Sequence, residues 1–176
     1  MPGRGFTLWF TGLSGAGKST VSALVAEELQ KRGHAVERLD GDEIRKRLSR
    51  GLGFSKADRD ENIRRIGFVA HLLSRNGAVA IAAAISPYRE IRDEVRRGHD
   101  APFVEIFVDC PLDTLKKRDP KGLYAKALRG ELQQFSGISD PYEAPLNPEI
   151  TLHTDRESAN DSRDIVIRWL EAQKLI

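Results

Sequence analysis

The sequence predicts an α/β fold, a doubly wound and mostly parallel sheet with helices on both faces. Three observations carry that expectation. Short apolar runs alternate with amphipathic stretches along the whole chain, as repeated strand–helix units require. The run at residues 78–85, Ala-Val-Ala-Ile-Ala-Ala-Ala-Ile, is apolar without alternation, as a strand covered on both faces must be. The first apolar run leads straight into Gly12-Leu13-Ser14-Gly15-Ala16-Gly17-Lys18-Ser19-Thr20 and then into a helical stretch, the strand–loop–helix context in which that spacing binds phosphate.

Taken in order, residues 6–10 form a buried strand. Residues 18–32 form a helix with Val21, Leu24, Val25 and Leu29 at helical spacing, and Gly33 stops it. Residues 35–39 are a second strand, ending at Asp40-Gly41-Asp42, and a short charged helix follows over about 42–50. A longer helix at 58–75 carries Ile63, Ile66, Val69, Ala70 and Leu73 on one face. Asn76-Gly77 turns the chain into the strand at 78–85, and Pro87 closes that strand. Residues 88–97 read as a helix, 103–108 as a strand and 112–118 as a helix. The chain ends with a short strand at 149–153 and an amphipathic helix at 158–173 bearing Ile165, Val166, Trp169 and Leu170.

The segment 119–148 differs in kind. It is rich in Gly, Pro and charge, has a short helical candidate at 124–130, and shows no core stripe. Long, weakly patterned segments inside compact domains are usually functional, so this one reads as a lid on a single domain spanning 1–176.

Composition narrows the function. With 176 residues the chain can bury a sizeable core. Twenty-eight basic against 26 acidic residues leave a net charge of +2, too little to suggest a nucleic-acid or membrane surface. No apolar stretch approaches the length of a membrane span. The one cysteine, Cys110, cannot form an internal disulfide and follows an apolar run. It reads as a buried small side chain in a reducing, cytoplasmic setting.

The glycine-rich loop supplies the chemistry. Glycines let successive N–H groups turn inward onto phosphate oxygens, and the following helix adds the positive end of its dipole. Lys18 would reach the β- and γ-phosphates of ATP, and the Ser19 hydroxyl would coordinate Mg²⁺. No Asn-Lys-x-Asp guanine signature is present. A compact core with a lid suits a small-molecule kinase that must exclude water from the transferring group, which makes the fold one of P-loop kinase type. Asp40 and Asp42 fall at the carboxyl end of the second strand. One could act near Mg²⁺ while the other takes a proton from the attacking hydroxyl; alternatively Asp42 only caps the helix that follows. Arg45, Arg59 and Asn62, as a set, suggest a site for a substrate anion.

These blocks, in this order, resemble the adenylyl-sulfate kinase family. The resemblance rests on the loop from Gly12 to Thr20, on Leu39-Asp40-Gly41-Asp42-Glu43-Ile44-Arg45, and on Gly53-Phe54-Ser55 with Asp58-Arg59-Asp60-Glu61-Asn62-Ile63-Arg64-Arg65. It continues through Ile85-Ser86-Pro87-Tyr88-Arg89, Arg118-Asp119-Pro120-Lys121-Gly122-Leu123-Tyr124, Phe135-Ser136-Gly137-Ile138 and Asp140-Pro141-Tyr142-Glu143. It covers nearly the whole chain. Ala16 stands where many relatives have Ser, and Ser136 where Thr often precedes the glycine.

The resemblance implies a kinase that phosphorylates the 3′-hydroxyl of adenosine 5′-phosphosulfate in sulfate assimilation. It makes Asp42 the candidate base and places Asp40 near Mg²⁺. Arg45, Arg59 and Asn62 become substrate-anion contacts, and Phe54 and Phe135 a sandwich for the substrate adenine. Ile85 and Ser86 line the same pocket, Lys121, Gly137 and Ile138 belong to the segment that covers it, and Arg118 lies against the adenine of ATP. A phosphoenzyme has been proposed at the family's matching serine. No adjacent base for Ser86 is visible in the sequence, which favours direct in-line transfer. A homodimer, and a chain standing alone or joined to an ATP sulfurylase, are also implied.

Overall fold

The computed structural model describes residues 5–176. Five strands, β1 (Phe6–Thr11), β2 (Val36–Asp40), β3 (Val79–Ala83), β4 (Phe103–Asp109) and β5 (Ile150–His153), form one sheet in the order β2-β3-β1-β4-β5. Every pairing in it is parallel. The helices are α1 (Lys18–Lys31), α2 (Gly41–Arg47), α3 (Lys56–Arg75), α4 (Arg89–Arg97), α5 (Leu112–Arg118), α6 (Leu123–Leu128) and α7 (Ala159–Ala172). The doubly wound α/β expectation holds.

Side-chain alternation on the strands divides the core in two. Phe6, Leu8 and Phe10 of β1 join Val104, Ile106 and Val108 of β4 beneath α1 and α7. Trp9, with Ala80 and Ala82 of β3, faces Ile63, Ile66 and Ala70 of α3 and Ile91 and Val95 of α4. All six residues of β1 and all five of β3 are buried, which is why neither shows an alternating pattern. Each large aliphatic or aromatic side chain so covered contributes about 1.5–3 kcal/mol.

Two expectations shift. The apolar run at 78–85 forms only five residues of strand, because the chain leaves the sheet at Ala84 to build the pocket wall. The lid also holds more core than its composition suggested. Tyr124 is buried in the α1 side of the core, and Phe135 and Ile138 pack against it. One buried aromatic on a two-turn helix leaves no periodic stripe for sequence reading to find.

The order β2-β3-β1-β4-β5 places later strands on both sides of β1. Its carboxyl end is therefore the topological switch point, where open α/β sheets bind ligands. The glycine-rich loop, the Asp40–Asp42 turn and the Ala84–Pro87 turn all leave the sheet at that edge.

Candidate active site

The loop between β1 and α1 is held from outside by its carbonyls. Lys18 Nζ donates to the Gly12 and Leu13 carbonyls, at 2.8 Å each. Tyr124 Oη donates to the Ser14 carbonyl at 2.8 Å, and Thr154 Oγ1 to the Ala16 carbonyl at 2.7 Å. Gly12 admits no side chain, since a β-carbon there would lie 2.5 Å from the Val108 carbonyl oxygen. Gly17, at φ 106, opens α1 without a side-chain cap, which leaves the first N–H groups of that helix free for an anion. Burial, with a smaller push from Lys121, lowers the Lys18 ammonium to about 8. A half-buried cation of lowered pKa gains most from an incoming polyanion.

Asp40 and Asp42 separate in role. Asp40 caps α2 by accepting from the Asp42 N–H at 3.1 Å, and its other oxygen accepts from Ser19 Oγ at 2.7 Å. The cap is thus Asp40, and Asp42 is free of that duty. The Asp42 carboxylate instead pairs with Lys121 from the lid. Ser19 and Asp40 together offer hard oxygens but few of them; among the described residues no cluster of three or more metal-binding side chains exists. That donor set suits Mg²⁺, which keeps waters and binds substrate phosphate alongside one or two protein oxygens.

A cavity of about 500 Å³ runs from the phosphate loop to the lid. Ser14, Gly15, Gly17, Lys18, Ser19 and Thr20 line one end. Arg45, Phe54, Arg59, Asn62, Ile85, Ser86 and Phe135 line the other, with Asp40, Asp42 and Lys121 between. Gly12, Leu13, Ala16, Gly137, Ile138 and Arg118 are not on its wall. Gly137 lies behind it, so close to the loop that a β-carbon there would sit 2.9 Å from Leu13 Cδ2. Arg118 lies beside the loop, donating to the Thr154 carbonyl at 2.7 Å and to Cys110 Sγ at 3.6 Å. Cys110 is buried, as expected, and burial pushes its thiol up.

The far end is built on arginine and aromatic contacts. Phe54 is 55% exposed to the cavity side, with the Arg45 guanidinium 4.4 Å from its ring centroid and Arg59 at 5.7 Å. Asn62 is buried, and its Oδ1 has no hydrogen-bond partner. Arg59, expected as a substrate-anion contact, lines the cavity and is also tied to the lid. Its Nε donates to the Phe54 carbonyl at 2.8 Å, Nη1 to Ser136 Oγ at 2.9 Å and Nη2 to the Gln134 carbonyl, with Asp140 at 3.5 Å. This arginine fastens the lid.

Ser86 is buried at φ 42. Its hydroxyl accepts from Trp9 Nε1 at 3.2 Å and donates to Thr11 Oγ1 at 3.0 Å, while Thr11 also meets Tyr142 Oη at 3.0 Å. None of these partners is a base, so the hydroxyl is not activated as a nucleophile in this arrangement. Sequence reading assigned no role to Tyr124, Thr154, Tyr142 or Arg92. The buried Arg92 guanidinium donates to Glu105, to the Ser86 carbonyl and to the Glu143 carbonyl. The one signal for Tyr124 was its place at the end of the Lys121-Gly122-Leu123-Tyr124 block.

Comparison with known proteins agrees with this geometry. The family model described as adenylylsulphate kinase matches residues 4–153. The chain belongs to the adenylylsulphate kinase family. It is 58% identical to the adenylyl-sulfate kinase of a Picosynechococcus species over 170 residues, covering 97% of this chain and 96% of that one. It is 56% identical to a probable bifunctional SAT/APS kinase of Sorangium cellulosum, covering 95% of this chain but 29% of the relative. The solved Mycobacterium tuberculosis APS kinase CysC, in complex with AMPPNP and APS, superposes with a TM-score of 0.91 at 47% identity, covering 97% of this chain and 99% of that one. The P-loop kinase fold class is thereby shown.

Proposed function

We propose that this kinase transfers the γ-phosphoryl group of ATP to the 3′-hydroxyl of adenosine 5′-phosphosulfate, giving 3′-phosphoadenylyl sulfate for sulfate assimilation. The observation that carries the reading is one continuous cavity with a polyphosphate end, a carboxylate in the middle and a cationic, aromatic far end. The family's relatives, named for this reaction, support it.

The loop N–H groups, Lys18 and the start of α1 hold the triphosphate. Ser19 and Asp40 would hold Mg²⁺, which would supply positive charge to offset that of the triphosphate. Phe54 and Phe135 stack the acceptor's adenine, and Arg45 with Asn62 faces its anionic groups. Ile85 and Ser86 shape the wall beside them. Asp42 accepts the proton of the 3′-hydroxyl as that oxygen bonds to the γ-phosphorus and the bond to ADP breaks. Lys121 shifts its charge from Asp42 toward the transferring group. Gly137 and Ile138 seat the lid, and Arg118 flanks the ATP adenine from beside Thr154.

The proposal extends to a single domain over 1–176, a cytoplasmic site and a homodimer. No helix among the described residues is long and apolar enough to cross a membrane. Fusion to a sulfurylase is supported by the longer Sorangium relative, whose matching part is 29% of its length.

The test is ADP release with Mg²⁺ and either adenosine 5′-phosphosulfate or AMP as acceptor, with the product mass determined. Transfer to the sulfated acceptor at its 3′-oxygen is expected. Transfer to AMP alone would make this a nucleotide kinase. Light scattering on the same sample reads the oligomeric state, and a monomer would remove the dimer.

A further inference from the structure

The lid rests on the phosphate loop itself. Tyr124, at the start of α6, is buried. Its hydroxyl donates to the Ser14 carbonyl at 2.8 Å. Its ring meets Phe135 edge-on, with centroids 5.1 Å apart and planes at 88°. A second contact lies alongside, where Gly137 of the lid closes onto Leu13 of the loop. One side chain therefore touches both the loop that takes the triphosphate and the aromatic that backs the acceptor pocket.

Peptide geometry gives this contact a consequence. The Ser14 carbonyl and the Gly15 N–H belong to one planar unit and point to opposite sides of it. A hydroxyl fixed on the carbonyl therefore fixes the direction of the N–H, and polarises it as a better donor. Ser14 and Gly15 both line the cavity, and the Gly15 N–H has no protein acceptor among the described residues. It is oriented for a phosphate oxygen. Burial pushes the Tyr124 phenol up to about 12, so it remains a donor throughout the working pH range.

We propose that Tyr124 is a positioning residue that makes triphosphate binding and acceptor binding interdependent. It does so by holding the Ser14–Gly15 peptide with its hydroxyl and Phe135 with its ring. The proposal rests on the functional reading above. A phosphate on the Gly15 N–H strengthens the hydrogen bond at the other end of the same peptide, which steadies Tyr124 and the Phe135 ring against it. By linkage an acceptor stacked on Phe135 returns the same factor to the nucleotide.

The test uses the whole chain and the isosteric Tyr124→Phe, which keeps the ring and deletes only the hydroxyl. Calorimetry gives the Kd of adenosine 5′-phosphosulfate with and without saturating AMPPNP and Mg²⁺. Wild type is expected to bind the acceptor more tightly with the nucleotide present, and Tyr124→Phe to lose most of that enhancement, because without the hydroxyl no hydrogen bond is left for the nucleotide to strengthen. Tyr142→Phe is the comparator, because it deletes the half-buried hydroxyl that meets Thr11 at the other root of the lid. An unchanged enhancement in Tyr124→Phe, or an equal loss in both variants, overturns the proposal. So does a wild-type enzyme that binds the acceptor with no enhancement. Failure of the acceptor to bind wild type under any condition would instead remove the functional reading, and the proposal with it.

Discussion

Lys121 of the lid holds the carboxylate of Asp42, pairing residues 79 positions apart across the mouth of the cavity. Both partners are more than half exposed, so the pair adds little to stability. In the proposed reaction the carboxylate that accepts the acceptor's proton stays engaged until the lysine is drawn elsewhere. Asp42→Asn should lower kcat by about 10²- to 10⁴-fold and leave the Kd of AMPPNP within about twofold. Steady-state kinetics and calorimetry check this. A variant whose nucleotide affinity collapses while kcat holds would make Asp42 a binding residue.

Lys18 sets a pH dependence whose sign follows from its burial. In the free protein the ammonium titrates at about 8. Bound triphosphate favours the charged form, so the lysine's pKa rises in the complex. Nucleotide affinity is therefore full below the free value and falls as pH rises through 8, by up to about tenfold per unit. Calorimetry of AMPPNP binding in two buffers of different protonation enthalpy should show proton uptake in that window. Lys18→Ala should abolish both the uptake and phosphoryl transfer; uptake that survives the substitution would assign the proton to another group.

Asp40 caps α2 with one oxygen and meets Ser19 with the other, and two substitutions separate the cap from the proposed Mg²⁺ role. Asp40→Asn can still cap α2, so its melting temperature should stay close to wild type while its Mg²⁺ requirement rises and its activity falls. Asp40→Ala loses the cap as well, at about 1 kcal/mol, or roughly 2–4 °C in Tm. Melting curves and Mg²⁺ titrations read the two effects apart. Full activity in Asp40→Asn at low Mg²⁺ would leave only the capping role.

What was legible in the sequence was local. The run Gly12–Thr20 announces its own conformation because the glycines, the lysine and the helix start are contiguous. The apolar blocks of β1 and β3 are readable because both faces of each are buried. The pairs that tie the site together are not local. Tyr124 meets Ser14 across 110 positions, and Arg59 meets Ser136 across 77. The set Arg45, Arg59 and Asn62 pointed to a substrate anion but not to the lid contacts of Arg59, and Tyr124 was left without a role, because a guanidinium or phenol does not announce its partner. The sequence left a cap open as the alternative for Asp42, and the backbone gives that position to Asp40.

Arg59 offers the clearest test of such long-range assignments. Its guanidinium bridges the Phe54 carbonyl on one side of the acceptor pocket to Gln134, Ser136 and Asp140 on the other. Phe135 lies between two of those lid partners, so releasing the guanidinium should loosen both aromatics of the adenine sandwich together. Arg59→Lys keeps the charge but cannot reach in three directions from one planar group. It should raise the acceptor KM by at least about tenfold, since a disordered clamp loses the stacking and preorganisation that hold the base. It should also speed proteolytic cleavage within 119–148, because the lid loses its buried anchor. An arginine acting only as an anion ligand would give the first effect without the second. Limited proteolysis of wild type and Arg59→Lys, alongside acceptor kinetics, decides between them: unchanged cleavage with a raised KM returns Arg59 to the role of direct ligand.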